Sequence, residues 1–177
     1  ASKPRLIDVL SAVEEAAVSL NKPSPAFNIE IKSKPDWEGV YHPNYKVYAQ
    51  LVIDFVNKLS LQERVSIQSF DPRVLQYIHE EYPSLRLVYL TEDSTRIPSE
   101  QISDLGFYPD VYSCHYPLLK DHHLRQLQSQ GIRVSPWTVN EIDEAEKLIK
   151  MGVDGLITDY PAKLIGALGS SNKIQID

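Results

Sequence analysis

Short apolar runs alternate along the chain with stretches of helical period. Residues 26–32 (AFNIEIK) alternate as a strand, with Phe27, Ile29 and Ile31 on one side and Asn28, Glu30 and Lys32 on the other. Further short strands are predicted at 64–68 (RVSIQ), 85–90 (LRLVYL), 110–114 (DVYSC), 132–136 (IRVSP) and 154–157 (DGLI). Helices fit between them. Leu6, Val9, Leu10, Val13, Ala17 and Leu20 share one helical face, as do Tyr48, Leu51, Val52, Phe55, Val56 and Leu59. Asp71-Pro72 reads as an N-cap and first helical residue, with Val74, Leu75 and Ile78 behind it. Pro98 opens a short helix, residues 118–130 form another that Gly131 stops, and Asn140 caps 141–150 ahead of Gly152. Pro161 opens the last helix, with Leu164, Ile165 and Leu168.

The order is a helix followed by six strand–helix units, which argues for a parallel sheet with crossover helices. A closed eight-unit barrel takes ~250 residues, more than the 177 present. The chain also opens on a helix that has no preceding strand to cross over from. The predicted fold class is therefore α/β, a (β/α)8 barrel of the TIM type lacking its first two strands, with an open doubly wound sheet as the other possibility. One domain is expected over 1–169, with a polar tail at 170–177. The long connection 33–45 (SKPDWEGVYHPNY) follows the first strand, where α/β proteins place functional loops, and is too rich in Pro, Trp and Tyr for a flexible spacer.

Composition narrows the partners. With 18 basic and 24 acidic residues the net charge is −6, and no basic block offsets it. Such a field suits neither nucleic acid nor an anionic membrane surface. No apolar run approaches the ~20 residues of a transmembrane span. A single cysteine, Cys114, leaves no internal disulfide and no multi-cysteine metal site. The first residues do not read as a signal peptide.

Candidate chemistry gathers at strand ends, the active face of a barrel. Glu30 and Lys32 end the first strand on one side. A carboxylate and an ammonium pointing inward are costly unless used or paired. They read as a metal-binding Glu with a phosphate-binding Lys, as a structural ion pair, or as two solvent-facing groups. Gln68 and Phe70 follow the second strand, and Gln68 would face inward. Ser69 and Asp71 read as turn and cap. Trp137 follows the fifth strand and can wall a pocket. His115 ends the fourth strand, where a pocket residue or an ordinary core residue would sit. His42, in the long loop, is a candidate for substrate contact. His79 reads as surface. His122 and His123 are adjacent and would point about 100° apart on a helix, so they do not chelate together. Asp159 would repel an anion and reads as a cap for the last helix. Cys114 reads as a buried, inert thiol.

Several segments, in order, resemble one family. NIEIKSKP at 28–35 is similar to a strand end of the glycerophosphodiester phosphodiesterases. PRLIDVL at 4–10 resembles that family's P-x-L-x-E-x-L helix start. Ser69-Phe70 sits at its S-F turn, PWTVN at 136–140 matches its W-T-V-N strand end, and GVDGLITDYP at 152–161 matches its closing G-V-D-G-I-I-T-D-x-P. The resemblance covers nearly the whole chain and implies a (β/α)8 barrel. It also implies a metal-dependent hydrolase, using Ca2+ or Mg2+, that cleaves a glycerophosphodiester to glycerol 3-phosphate and an alcohol. Glu30 would then be one metal ligand, Lys32 would steady the phosphate charge, and Gln68, Phe70, His115 and Trp137 would line the substrate pocket.

The family's H-R-G and P-E-N-T motifs and the E-x-D of its second strand, with their acid/base histidines and metal carboxylates, have no counterpart at the corresponding strand ends of the chain. A single Glu30 falls short of the six or more oxygens a hard cation takes. The expectation is a piece of a longer enzyme. Its partner would be the missing N-terminal segment of the same protein, and the chain by itself would be inactive and expose open sheet edges. A barrel that binds a phosphodiester or a partner without turnover is the alternative. Many relatives are exported, which leans the compartment toward periplasmic or secreted.

Overall fold

The computed structural model describes residues 3–169, so the expected tail at 170–177 lies outside the described residues. The chain divides into two compact units with the boundary between Arg86 and Leu87.

The first unit runs through α1 (Leu6–Ser19), β1 (Phe27–Glu30), α2 (Tyr45–Lys58), β2 (Val65–Ser69) and α3 (Pro72–Glu81). β1 and β2 pair in parallel, Phe27 opposite Val65 through to Glu30 opposite Gln68. The alternation of side chains sorts the two faces. Ile29, Val65, Ile67 and Ser69 are buried, while Asn28, Ser66 and Gln68 on the other face are not. Ala49, Val52, Ile53 and Val56 of α2 and Val74, Leu75 and Ile78 of α3 are buried with the first set. The buried stripe of α2 is rotated from the expected one: Ala49 and Ile53 replace Tyr48 and Leu51, and Leu51 is exposed. On α1 only Leu10 is buried, and Val9, Val13 and Leu20 of its expected apolar face are exposed. Asp71 caps α3 as its sequence position indicates, accepting a bond from the Arg73 backbone N–H at 3.1 Å.

The second unit contains β3 (Arg86–Thr91, whose first residue belongs to the first unit), α4 (Pro98–Leu105), β4 (Val111–Cys114), α5 (Asp121–Ser129), β5 (Arg133–Val134), α6 (Ile142–Met151) and α7 (Pro161–Gly169). β3, β4 and β5 are successive parallel neighbours. The α/β class and the parallel pairing are as expected, and three local readings change. Residues 154–157 form no strand. They lie beside β5 through single bonds, Asp154 N–H to the Val134 carbonyl (2.9 Å) and Ile157 N–H to the Pro136 carbonyl (3.0 Å). Gly155 is pressed there so closely that a Cβ would meet Ser135 Oγ at 3.0 Å.

The helix expected at 118–130 begins only at Asp121, because Pro117 sits in a separate 3-10 turn (Tyr116–Leu118) and Lys120 is extended. Asn140 does not cap α6. Its side-chain oxygen is taken by Thr158 Oγ1 (3.1 Å) and the Asp159 N–H (3.0 Å). Asp159 in turn accepts from Asn140 Nδ2 (2.9 Å), so the pair ties two loops together.

Gly152 ends α6 with φ +98°, in the left-handed region. Gly152→Ala is expected to cost about 1 kcal/mol and to lower the thermal midpoint accordingly.

Candidate active site

Both units place candidate residues at the C-terminal ends of their strands. In the first unit, the unburied face of β1 and β2 carries a polar ladder. Ser66 Oγ donates to Asn28 Oδ1 (3.0 Å), and Asn28 Nδ2 donates to Gln68 Oε1 (2.9 Å). The Gln68 side-chain oxygen is thereby held by Asn28. Glu30 stands directly opposite Gln68 in register. Lys32 Nζ reaches back to Glu30 Oε2 at 2.5 Å. The two groups do share a side, as alternation requires, but they are not equally enclosed: the Glu30 side chain is 22% exposed and that of Lys32 is 70% exposed. β1 has already ended at Glu30, which leaves Lys32 free to reach solvent. An ion pair so placed contributes little to stability, ~0–1 kcal/mol. Its chemical content is a half-enclosed carboxylate and an exposed cation at the mouth of one strand.

A buried network fixes the backbone that presents them. Ser69 Oγ donates to the Ile31 carbonyl (2.8 Å) and accepts from the Asp71 N–H (3.1 Å). Ser33 Oγ donates to Asp71 Oδ2 (2.7 Å). The Arg73 guanidinium holds both Asp71 oxygens, at 3.0 and 2.7 Å, and Glu38 Oε1 at 2.7 Å. It also lies 4.6 Å over the Tyr45 ring. Residues on both sides of Lys32, namely Ile31 and Ser33, are thus pinned to the start of α3. Burial drives the Asp71 carboxyl upward, but the bonds from Arg73 and Ser33 outweigh it and leave its pKa below the ordinary value.

The loop 33–45 is built rather than slack. His42 Nε2 accepts the Lys34 N–H (3.1 Å), its Nδ1 lies 2.7 Å from the Pro43 carbonyl, and its ring stacks on Tyr48. Both ring nitrogens are committed to the loop, so His42 is a structural group and not the substrate contact its position suggested. Phe70 follows β2 and is 40% exposed.

In the second unit, His115 and Trp137 meet as a tilted pair with centroids 5.4 Å apart. Tyr116 packs edge-on to His115. Trp137 Nε1 donates to the Ser113 carbonyl at 2.9 Å, and its backbone N–H to the Cys114 carbonyl at 3.0 Å. Both side chains are half-buried, which suits a pocket wall. The His122 and His123 rings do not diverge: their centroids are 4.1 Å apart, with the ring planes at 60°. Burial, then the neighbouring His122 and Lys120 charges, lowers the pKa of His123.

Cys114 is buried, and burial pushes its thiol up to about 12. At about pH 8, iodoacetamide is expected to label native Cys114 more than about a hundredfold more slowly than a free thiol. Mass spectrometry of the native and urea-unfolded protein reads that difference.

The sequence pattern does not single out Asn28, Ser66, Ser33 or Arg73. The first two share strand parity with Glu30 and Gln68, and parity is the signal that finds them. Among the described residues no three His, Cys, Asp or Glu side chains gather as a metal site. Glu30 supplies one carboxylate, and the nearby amide oxygens of Asn28 and Gln68 already accept hydrogen bonds. These residues do not by themselves fit a hard cation.

Parallel strands with polar and aromatic side chains at their C-terminal ends define a class of α/β proteins that act at that face. Within it, residues 5–163 match the model of the glycerophosphoryl diester phosphodiesterase family, and the chain belongs to that family. It is 30% identical over 140 residues to a glycerophosphodiester phosphodiesterase of Caldanaerobacter subterraneus subsp. tengcongensis, covering 78% of this chain and 53% of that protein. It is 28% identical over 138 residues to a glycerophosphodiester phosphodiesterase of Bacillus subtilis, covering 76% and 46%.

Among solved structures, a glycerophosphodiester phosphodiesterase from Parabacteroides distasonis superposes with a TM-score of 0.74 at 25% identity, over 95% of this chain and 65% of that one. An Oleispira antarctica phosphodiesterase, in complex with the product sn-glycerol-3-phosphate, has the same fold, with a TM-score of 0.74 at 17% identity over 94% and 61%. The chain spans about half the length of the curated relatives it matches.

Proposed function

We propose that the protein is a phosphodiesterase that hydrolyses glycerophosphodiesters to glycerol 3-phosphate and an alcohol, and that the chain is part of a (β/α)8 barrel carrying one side of its site. The observation that carries this reading is the Glu30–Lys32 pair at the end of β1, held opposite Gln68, in a chain of this family. Lys32, with its exposed ammonium, meets the phosphodiester oxygens. Gln68 and Phe70 line the same strand mouth. In the second unit, taken by itself, His115 and Trp137 pair as an aromatic surface suited to packing against a glycerol or alcohol group. A divalent metal, Ca2+ or Mg2+, belongs to the proposal with Glu30 as one ligand among several.

The product-bound Oleispira antarctica enzyme suggests a binding test. Titration of the native protein with glycerol 3-phosphate in a calorimeter is expected to show saturable binding that Lys32→Ala weakens by about tenfold, as loss of one charge-assisted phosphate contact implies. No heat of binding, or an affinity indifferent to Lys32, would contradict the assignment.

A further inference from the structure

In the second unit a cleft of about 200 Å³ opens between the chain that follows β3 and the chain that follows β4. Its walls are residues 93–98, residues 117–120, Tyr112 and Cys114 of β4, and His123 of α5. Tyr112 and Cys114 share one face of β4, and alternation puts Ser113 on the other, with His115 continuing that side. The cleft is therefore across the strand from the His115–Trp137 pair.

Most of its polar groups are engaged. The Asp93 carboxylate accepts the Thr95 N–H (2.8 Å), Thr95 Oγ1 (2.6 Å) and Arg96 Nε (2.8 Å). Arg96 also pairs with Asp104, and the Tyr112 hydroxyl donates to Gln101 Oε1 at 2.8 Å. The Cys114 thiol, pushed up to about 12 by burial, carries no charge near neutral pH. Two groups remain. Lys120 is exposed, its side chain does not cap α5, and the adjacent Asp121 is paired with Arg125 instead (2.8 Å). His123 Nδ1 is buried and has no hydrogen-bond partner among the described residues. A buried ring nitrogen left unpaired is costly, so a ligand that pairs it gains by doing so. The rest of the wall is apolar, with Pro98, Cys114 and Leu119 buried and Leu118 half-buried. An apolar cavity of ~150 Å³ holds benzene, so this cleft has room for one ring and a short substituent.

We infer that this cleft is a second ligand site, separate from the strand-end site, and that it takes a small monocarboxylate with a compact apolar body such as an aromatic ring. The carboxylate meets Lys120 Nζ and His123 Nδ1, the latter as the N–H tautomer that donates to it. The body lies against Pro98, Cys114, Leu118 and Leu119. The class differs from that of the phosphate-binding candidate at Lys32, because one free cation beside an apolar wall suits a single charge on an apolar frame.

The probe is benzoate, titrated calorimetrically into the full-length protein, with benzyl alcohol and acetate as controls that keep only the ring or only the charge. Benzoate is expected to bind with a Kd at or below about 1 mM, and each control at least about tenfold more weakly. Lys120→Ala is expected to weaken benzoate by about tenfold, and Lys120→Arg by less than about threefold. His123→Phe keeps a ring and removes the nitrogen, so benzoate should bind about fivefold more weakly while the thermal midpoint holds or rises. Lys32→Ala is expected to leave the benzoate affinity within about twofold. Thermal unfolding of each variant separates lost binding from lost folding. No saturable binding, a control that binds as well as benzoate, or an affinity indifferent to Lys120→Ala in a folded protein would overturn the inference. So would benzoate binding that Lys32→Ala abolishes, since the carboxylate would then sit at the strand-end site.

Discussion

Asp71→Ala is expected to lower the unfolding free energy by about 3 kcal/mol, the sum of a lost N-cap and the stranded donors around it. The buried carboxylate receives Ser33 Oγ, two guanidinium bonds and a backbone N–H, and removing it takes the acceptor from Ser33 Oγ and the Arg73 backbone N–H and leaves the guanidinium with Glu38. Urea denaturation reads the loss directly. A change under about 1 kcal/mol would mean that the network is not what holds the strand ends. Asp71→Asn, which keeps the size and one acceptor, is expected to lose less.

The pH dependence has a definite sign. The folded pKa of Asp71 lies below its unfolded value. Its stabilisation is therefore fully present above about pH 4, the ordinary carboxylate value, and is lost as pH falls through the lowered folded value. Asp71→Ala should flatten the acid limb of a stability–pH curve in that window.

The second large effect is on chemistry. Glu30→Gln is isosteric and breaks only a half-exposed ion pair, so its thermal midpoint should stay within a few degrees of the native protein, about what 1 kcal/mol shifts. In the full-length protein, with the expected N-terminal segment present, Glu30→Gln should lower turnover of a glycerophosphodiester by about a hundredfold or more if the carboxylate carries a metal ligand's role. Lys32→Ala should act differently, raising KM for the diester more than it lowers metal affinity, because its exposed ammonium contributes charge to the phosphate. A Glu30→Gln protein as active as the native one would remove Glu30 from the site. If Lys32→Ala impaired metal affinity more than substrate binding, the roles given to the two residues would be reversed.

Much of this arrangement is legible in the residues, and the reasons differ by element. The 26–32 segment has period two, so its buried and polar sides follow from the order of its residues alone, and Ile29 and Ile31 are buried accordingly. Asp71-Pro72 and Gly152 are local signals, read within a few residues, and both behave as read.

The misses are non-local. Ser33 and Asp71 are 38 positions apart, and nothing near either announces the other. Asn140 looks like a helix cap because an Asn precedes a helical stretch, yet loop residues 18 and 19 positions away claim its side chain. The DGLI run has strand-like residues but carries Gly155, and only scattered pairing bonds survive. The opening helix shows the limit from the other side. Its apolar stripe is real in the sequence, but burial depends on what lies against it, and among the described residues only Leu10 is covered. For the site, parity places Glu30 with Lys32. It does not foresee that the strand stops at Glu30 and releases the lysine to solvent.

The most direct measurement is product identity. The full-length protein, of which this chain forms part of the barrel, is incubated with sn-glycero-3-phosphocholine and either Ca2+ or Mg2+, and phosphorus NMR follows the diester. Conversion to glycerol 3-phosphate, stopped by a chelator, is the expected result. A diester that persists unchanged with either metal, or that yields phosphocholine instead, would contradict the phosphodiesterase assignment.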